Sequence, residues 1–213
     1  MTTLIFIRHG ESEANHNHFF AGQIDPDLQE KGLEQAKLTA RYIADNYKVD
    51  KIYSSDLIRA YKTARCLNDI IDSEIIVQRA LREIHAGKWE GLKFEELFEI
   101  YPDEFGVWRN DISKAVCPEG ESVEKMGERV MKAFTKIAEE NDGKVIAIAT
   151  HATPIRAFLS TVKCGSFNMM QELGWVSNAS VTVAEYDKGE WTLVLESEDE
   201  HLNTLKTNLP KNV

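Results

Sequence analysis

Leu4-Ile5-Phe6-Ile7-Arg8-His9-Gly10-Glu11 lies near the start of the chain, and a counterpart, Val145-Ile146-Ala147-Ile148-Ala149-Thr150-His151, lies far downstream. Each is a short continuous apolar run that ends abruptly in polar residues, the pattern of a strand covered on both faces. Strands of that kind belong to a mostly parallel sheet whose C-terminal edge opens into a ligand crevice. Both histidines are expected at that edge.

Helical patterns separate the strands. After a loop through Gly22 and Pro26, Leu33, Ala36, Ala40 and Ile43 recur on one helical face. Lys51-Ile52-Tyr53-Ser54-Ser55 reads as a second strand, with Ser55 or Asp56 as the N-cap of a helix burying Leu57, Ala60, Ala64, Leu67 and Ile71. That spacing puts Arg59 in the first helical turn. Glu74 to Val77 reads as a further strand leading into Leu81-Arg82-Glu83-Ile84. Gly87, Trp89, Gly91 and Pro102 then mark an irregular stretch with one short helix near Phe94 to Tyr101. Ser122 is read as the N-cap of a helix carrying Val123, Met126, Val130, Ala133 and Ile137 inward, and Thr153-Pro154 as the start of another, just after His151. Ser180 to Tyr186 and Trp191 to Leu195, joined through Asp187-Lys188-Gly189, read as a hairpin. The sum is an α/β chain, a three-layer α/β/α sandwich with a mostly parallel central sheet, in one domain over residues 1–213. The polar tail from Ser197 to Val213 is expected on the surface, and whether it covers the crevice is left open.

With 213 residues and 43% hydrophobic content, the chain suffices for one well-buried domain. Cys66, Cys117 and Cys164 are widely spaced, which points to reduced thiols in the cytoplasm rather than to disulfides or a zinc cluster. Met1-Thr2-Thr3 has no basic n-region and no apolar run approaches a membrane span, so neither export nor a membrane partner is expected. A net charge of -10 without a basic stripe argues against nucleic acid. It does not exclude an anionic small molecule, because exposed charges are screened over roughly 8 Å and a few converging cations can make a local positive pocket.

Arg8-His9-Gly10-Glu11 has the chemistry such a pocket needs. The arginine offers a fork of donors matching phosphate, the glycine lets backbone approach a ligand, and a neutral imidazole is a nucleophile near neutral pH. Alone, a histidine at a strand edge is more often structural, and Arg59 alone would be an exposed partner in a salt bridge. The order of motifs changes that balance. Arg8-His9-Gly10-Glu11, Asn15, Gly22, Asp25, Leu28, Gly32 and Gln35-Ala36 are followed by Ser54-Ser55-Asp56-Leu57-Ile58-Arg59-Ala60 and Thr63-Ala64. Leu81-Arg82-Glu83, Gly87-Lys88-Trp89-Glu90-Gly91, Pro118-Glu119-Gly120-Glu121-Ser122 and Thr150-His151 complete the series. In this order the chain resembles the histidine phosphatase superfamily, also called phosphoglycerate-mutase-like.

The resemblance implies His9 as a nucleophile that becomes phosphohistidine, with Arg8, Arg59 and His151 around the phosphate oxygens and Glu83 as proton donor. It further implies substrate contacts from Asn15, Gln23 and Ala152, no metal and no cofactor. Asn15 and Gln23 could equally stabilise their own loop, and Arg82 reads as a surface or ion-pair residue. Phe19, Phe20, Trp89, Trp108 and Phe105 are candidates for a pocket above the phosphate, with core packing as the alternative. The Gly-x-Trp-Glu-Gly form resembles the family's phosphatases more than its mutases, since Glu83-Ile84-His85-Ala86-Gly87 lacks the mutases' Arg-His-Tyr-Gly stretch and no Arg-Arg pair follows. The expected activity is hydrolysis of small phosphomonoesters, α-ribazole phosphate being one possible substrate. A 2,3-bisphosphoglycerate-dependent phosphoglycerate mutase and a non-catalytic phospho-ligand binding module are the alternatives. Oligomeric state is left open.

Overall fold

Among the described residues six strands form one sheet: β1 (Thr2–Arg8), β2 (Lys51–Ser54), β3 (Ile75–Val77), β4 (Val145–Thr150), β5 (Val181–Asp187) and β6 (Glu190–Glu198), in the spatial order β3-β2-β4-β1-β5-β6. This is a computed structural model, and it describes residues 1–207. β3, β2, β4 and β1 are mutually parallel, while β5 runs antiparallel to β1 and to β6. Around the sheet lie α1 (Glu13–Asn17), α2 (Glu30–Asn46), α3 (Ile58–Ile71), α4 (Phe94–Ile100), α5 (Pro102–Asn110), α6 (Val123–Glu140) and α7 (Ala152–Cys164). The result is the expected α/β/α sandwich.

Alternation along β1 divides the core. Leu4 and Phe6 pack with Phe134 and Phe158 of α6 and α7, whereas Ile5 and Ile7 pack with Ala40 and Ile43 of α2 and with Ala64 and Leu67 of α3. The chain therefore leaves the C-terminal end of β1 toward one face and that of β4 toward the other. Adjacent parallel strands that diverge in this way open a crevice between them. Register aligns Arg8 with Thr150, so the residues that follow, His9 and His151, emerge side by side.

Several local expectations are corrected. The helix after β2 begins at Ile58 with Leu57 in the cap position. Ser55 and Asp56 do not cap it, because Asp56 makes a two-pronged pair with Arg82 and the Ile58 N–H is taken by Asp25 Oδ1 at 2.6 Å. α7 starts at Ala152 with His151 as its N-cap, one residue ahead of the Thr153-Pro154 signal. Leu33 faces outward, since the inner side of α2 presents Gly32 and Gln35 instead. The irregular middle stretch contains a second helix, α5, and Pro102 starts it rather than breaking it, because proline suits the first helical turn. The hairpin turn is only Lys188-Gly189, with φ of 49° and 92°, the left-handed pair that matches strand twist. Beyond β6, the turn Glu200–Leu205 packs on α2, with Leu202 buried. The part of the expected tail after residue 207 lies outside the described residues. No helix among the described residues is long and apolar enough to cross a membrane.

Candidate active site

A cavity of about 350 Å³ opens at the C-terminal edge of β1 and β4, and Arg8, His9, Asn15, Arg59, Glu83 and Ala152 are among its lining residues. His9 is buried, and its Nδ1 lies 2.7 Å from the Gly10 carbonyl oxygen. A ring nitrogen facing a carbonyl can only donate, so the proton of the neutral ring sits on Nδ1 and Nε2 keeps its lone pair. Burial, reinforced by Arg59 and Arg8, holds the pKa of this imidazole well below its ordinary value.

Close backbone packing fixes that segment. A Cβ on Gly10 would lie 2.1 Å from the Gly32 carbonyl oxygen, and one on Gly32 2.0 Å from that of Glu11. Only two glycines let the loop after β1 lie against the first turn of α2. The Gly10 N–H donates to Thr63 Oγ1, whose hydroxyl donates to the Arg59 carbonyl, tying the loop to α3.

Arg59 is fully buried, held by Nη1 to Ile24 O at 3.0 Å and Nη2 to Gly22 O at 2.8 Å, and its Nε has no partner. Arg8 donates to Val176 O, and its Nε is likewise buried and unpaired. Burial lowers both guanidiniums to about 10, which leaves them charged at neutral pH. The carbonyls that hold Arg59 belong to a loop pinned by Glu90, whose carboxylate accepts from Gln23 N and Ala86 N. Two buried guanidiniums with unpaired N–H groups beside a neutral imidazole make a site suited to a phosphate dianion.

His151 lies beneath the cavity, entirely buried, its ring centroid 5.1 Å from that of His9. Its Nε2 is 2.9 Å from Ser55 Oγ, and that hydroxyl accepts from Leu57 N. The serine proton is thus free to go to Nε2, which puts the ring's own proton on Nδ1, a buried atom with no partner. Burial, Arg59 and His9 hold this imidazole well below its ordinary pKa as well.

Glu83 accepts from its neighbour Ile84 N at 2.8 Å and from Thr153 N, in the first turn of α7, at 3.3 Å. Its main chain is clamped by Arg129, which donates to the carbonyls of Ala80, Arg82 and Glu83 and pairs with Glu121. The Pro118-to-Ser122 motif thereby acquires a physical role: Glu121 also accepts from His85 N, so this loop and α6 hold the Glu83 segment in place.

Asn15 lines the cavity, and its Oδ1 accepts from Ser12 N and from Asn178 Nδ2 at 3.1 Å each. Gln23, like His151, is not on the cavity wall, and its amide bonds the Glu83 carbonyl and the Arg82 guanidinium, the loop-stabilising alternative. Trp89 and Phe105 are completely buried in the aromatic core and are removed from the pocket set, while Phe19, Phe20 and Trp108 line it. Phe94, Trp175 and Asn178 also line it and escaped the sequence reading. Asn178 donates to the His9 carbonyl at 3.1 Å, and in the sequence it is one of several polar residues, with Ser177 and Ser180, just before a buried strand. Among the described residues no group of three or more His, Cys, Asp or Glu side chains is arranged to hold a metal ion.

With fold and site in hand, residues 4–199 match the model of the histidine phosphatase superfamily, branch 1, and the chain belongs to that family. Phosphoserine phosphatase 1 of Hydrogenobacter thermophilus is 32% identical over 188 residues, 88% of each chain. The solved structure of YhfR from Bacillus stearothermophilus superposes with a TM-score of 0.91 at 26% identity, covering 95% of this chain and all of the other. Phosphoserine phosphatase from Entamoeba histolytica, solved with 3-phosphoglyceric acid, gives a TM-score of 0.82 at 28% identity over 95% of this chain and all of its own.

Proposed function

We propose that this chain, acting as one domain, hydrolyses small phosphomonoesters with His9 as nucleophile. The observation that carries the reading is the free Nε2 of a neutral His9, fixed by the Gly10 carbonyl between two buried arginines. Nε2 attacks phosphorus, the P–Nε2 bond forms, and the P–O bond to the alcohol breaks in line. Glu83 gives its proton to the leaving oxygen. Water then attacks the phosphohistidine and gives a proton to the Glu83 carboxylate, releasing phosphate and restoring the Nε2 lone pair. Charge on the equatorial oxygens is met by Arg8, Arg59 and the Nδ1–H of His151, since phosphoryl transfer depends chiefly on positioning and placed cations. Ala152 contributes at the start of α7, and Asn15 presents its amide to the same space.

A bisphosphoglycerate-dependent mutase must also hold a second phosphate. Among the described lining residues, the Lys and Arg side chains beyond Arg8 and Arg59 reduce to Lys31, whose ammonium is 2.9 Å from Glu11, which favours hydrolysis over transfer. Three free cysteines fit a reducing cytoplasm.

Incubation with a chromogenic phosphomonoester and acid quenching tests this reading. Wild type is expected to turn over and to yield an acid-labile phosphoenzyme, and His9→Ala to lose both, with kcat falling on the order of a thousandfold or more. Full turnover by His9→Ala would remove the nucleophile assignment. Phosphate binding without phosphoenzyme or turnover would leave a binding module.

A further inference from the structure

Phe19, Phe20, Phe94, Trp108 and Trp175 make much of the cavity lining aromatic. Phe20 meets Trp108 edge-to-face at 5.1 Å and Phe94 at 6.1 Å, and all three line the cavity with Phe19 and Trp175. Trp175 is only half-buried yet firmly backed. The buried Arg156 guanidinium stacks 4.0 Å from its ring and donates to the carbonyls of Met170 and Leu173, while Arg8 donates to the neighbouring Val176 carbonyl. Trp175 thus stands between Arg156 and the cavity, whose lining does not include that arginine.

Charge points the same way. Of the acidic side chains in the lining, Glu83 accepts from Thr153 N and Glu11 pairs with Lys31 and faces the exposed His16 at 3.9 Å. His18 is the other imidazole in the lining besides His9 and His16. Among the described lining residues, a substrate that carried a carboxylate on its alcohol would meet aromatic faces and Glu11, and Lys31 is already paired with that glutamate. Desolvating such a carboxylate without a cation is costly, whereas a ring or alkyl group buries apolar surface against these walls.

We propose that the cavity selects phosphomonoesters of uncharged alcohols bearing an aromatic or bulky apolar group, and disfavours those whose alcohol carries a carboxylate, with Trp175 and Trp108 as specificity-determining residues. This rests on the phosphomonoesterase reading and names its substrate class.

The test compares kcat/KM for 2-phenylethyl phosphate, phosphoserine and 3-phosphoglycerate, all esters of aliphatic alcohols, so that leaving-group chemistry does not dominate. A preference of about tenfold or more for the phenylethyl ester is expected, carried mainly by KM, and Trp175→Ala is expected to shrink it while inhibition by inorganic phosphate persists. On the unmodified chain, phenylphosphonate is expected to inhibit more tightly than phosphonoacetate, a readout that does not depend on any variant folding. Equal or better kcat/KM for the two carboxylate esters, or tighter inhibition by phosphonoacetate, overturns the selectivity and leaves the phosphatase intact. Failure to hydrolyse any of the three esters or p-nitrophenyl phosphate overturns the phosphatase reading itself, and this one with it.

Discussion

At the scale of the residue, one carbonyl sets the chemistry of His9. Because Gly10 O takes the Nδ1 proton, the only titration that disables Nε2 is protonation of the whole ring, and Arg59 and Arg8 oppose a third positive charge there. Removing a cation weakens that opposition, so Arg59→Gln is expected to raise the His9 titration midpoint toward 6.5, measured by NMR of the ring nitrogens across pH. An unchanged midpoint would show that burial alone sets it. The same variant should lose roughly a hundredfold or more in kcat/KM as a phosphate donor disappears. The positions of Arg8, His9, Arg59 and His151 were legible because strand ends and first helical turns are written locally, whereas the roles proposed for them came only with the resemblance carried by the order of motifs. Gln23 was ambiguous for the opposite reason. Its amide is drawn to the Glu83 carbonyl, a partner 60 positions away that no local pattern reveals.

At the scale of elements, the site depends on contacts between loops that tolerate almost no added volume. Gly32→Ala would drive a methyl group into the Glu11 carbonyl, and a loss of about 1–3 kcal/mol in denaturant unfolding is expected, with reduced activity because the loop after β1 must shift. Glu121→Gln should act differently. It weakens the Arg129 clamp on Glu83 without touching the cavity, so kcat is expected to fall roughly tenfold or more, with KM little changed and poor leaving groups hit hardest. Steady-state kinetics over a series of leaving groups checks it, and uniform loss across the series would argue for general disruption. The helices of the sandwich were legible from their apolar stripes. α5 was not, because its periodicity is short and Pro102 reads equally as breaker and starter. The division of aromatics between core and cavity was also hidden: Trp89 and Trp108 lie 5.8 Å apart, on opposite sides of that boundary.

At the scale of the whole molecule, two buried histidines tie stability to pH. Both pKa values lie well below 6.5 in the folded state, whereas the unfolded chain titrates near 6.5. Above that pH both states are neutral and no penalty arises. Below it the unfolded chain binds protons that the folded chain refuses, so stability falls as pH drops, approaching about 1.4 kcal/mol per pH unit for each histidine. Urea midpoints measured from pH 7.5 to 5 should show this slope, above the range where the lowered carboxylates such as Asp56 and Glu121 contribute. His151→Asn should remove its own share of the slope, leaving that of His9 and of His201, whose pKa burial also lowers. The sheet order carries a different consequence, one of timing. β1 is made first, yet its neighbours are β4 and β5, with Thr3 opposite Val145 on one side and Glu185 on the other. During synthesis on the ribosome this apolar strand waits for its first sheet partner until β4, about 140 residues later, has emerged. The nascent Leu4-Ile5-Phe6-Ile7 segment is therefore open to aggregation over that interval, and the site proposed around His9, which takes in His151, Val176 and Asn178, is assembled late.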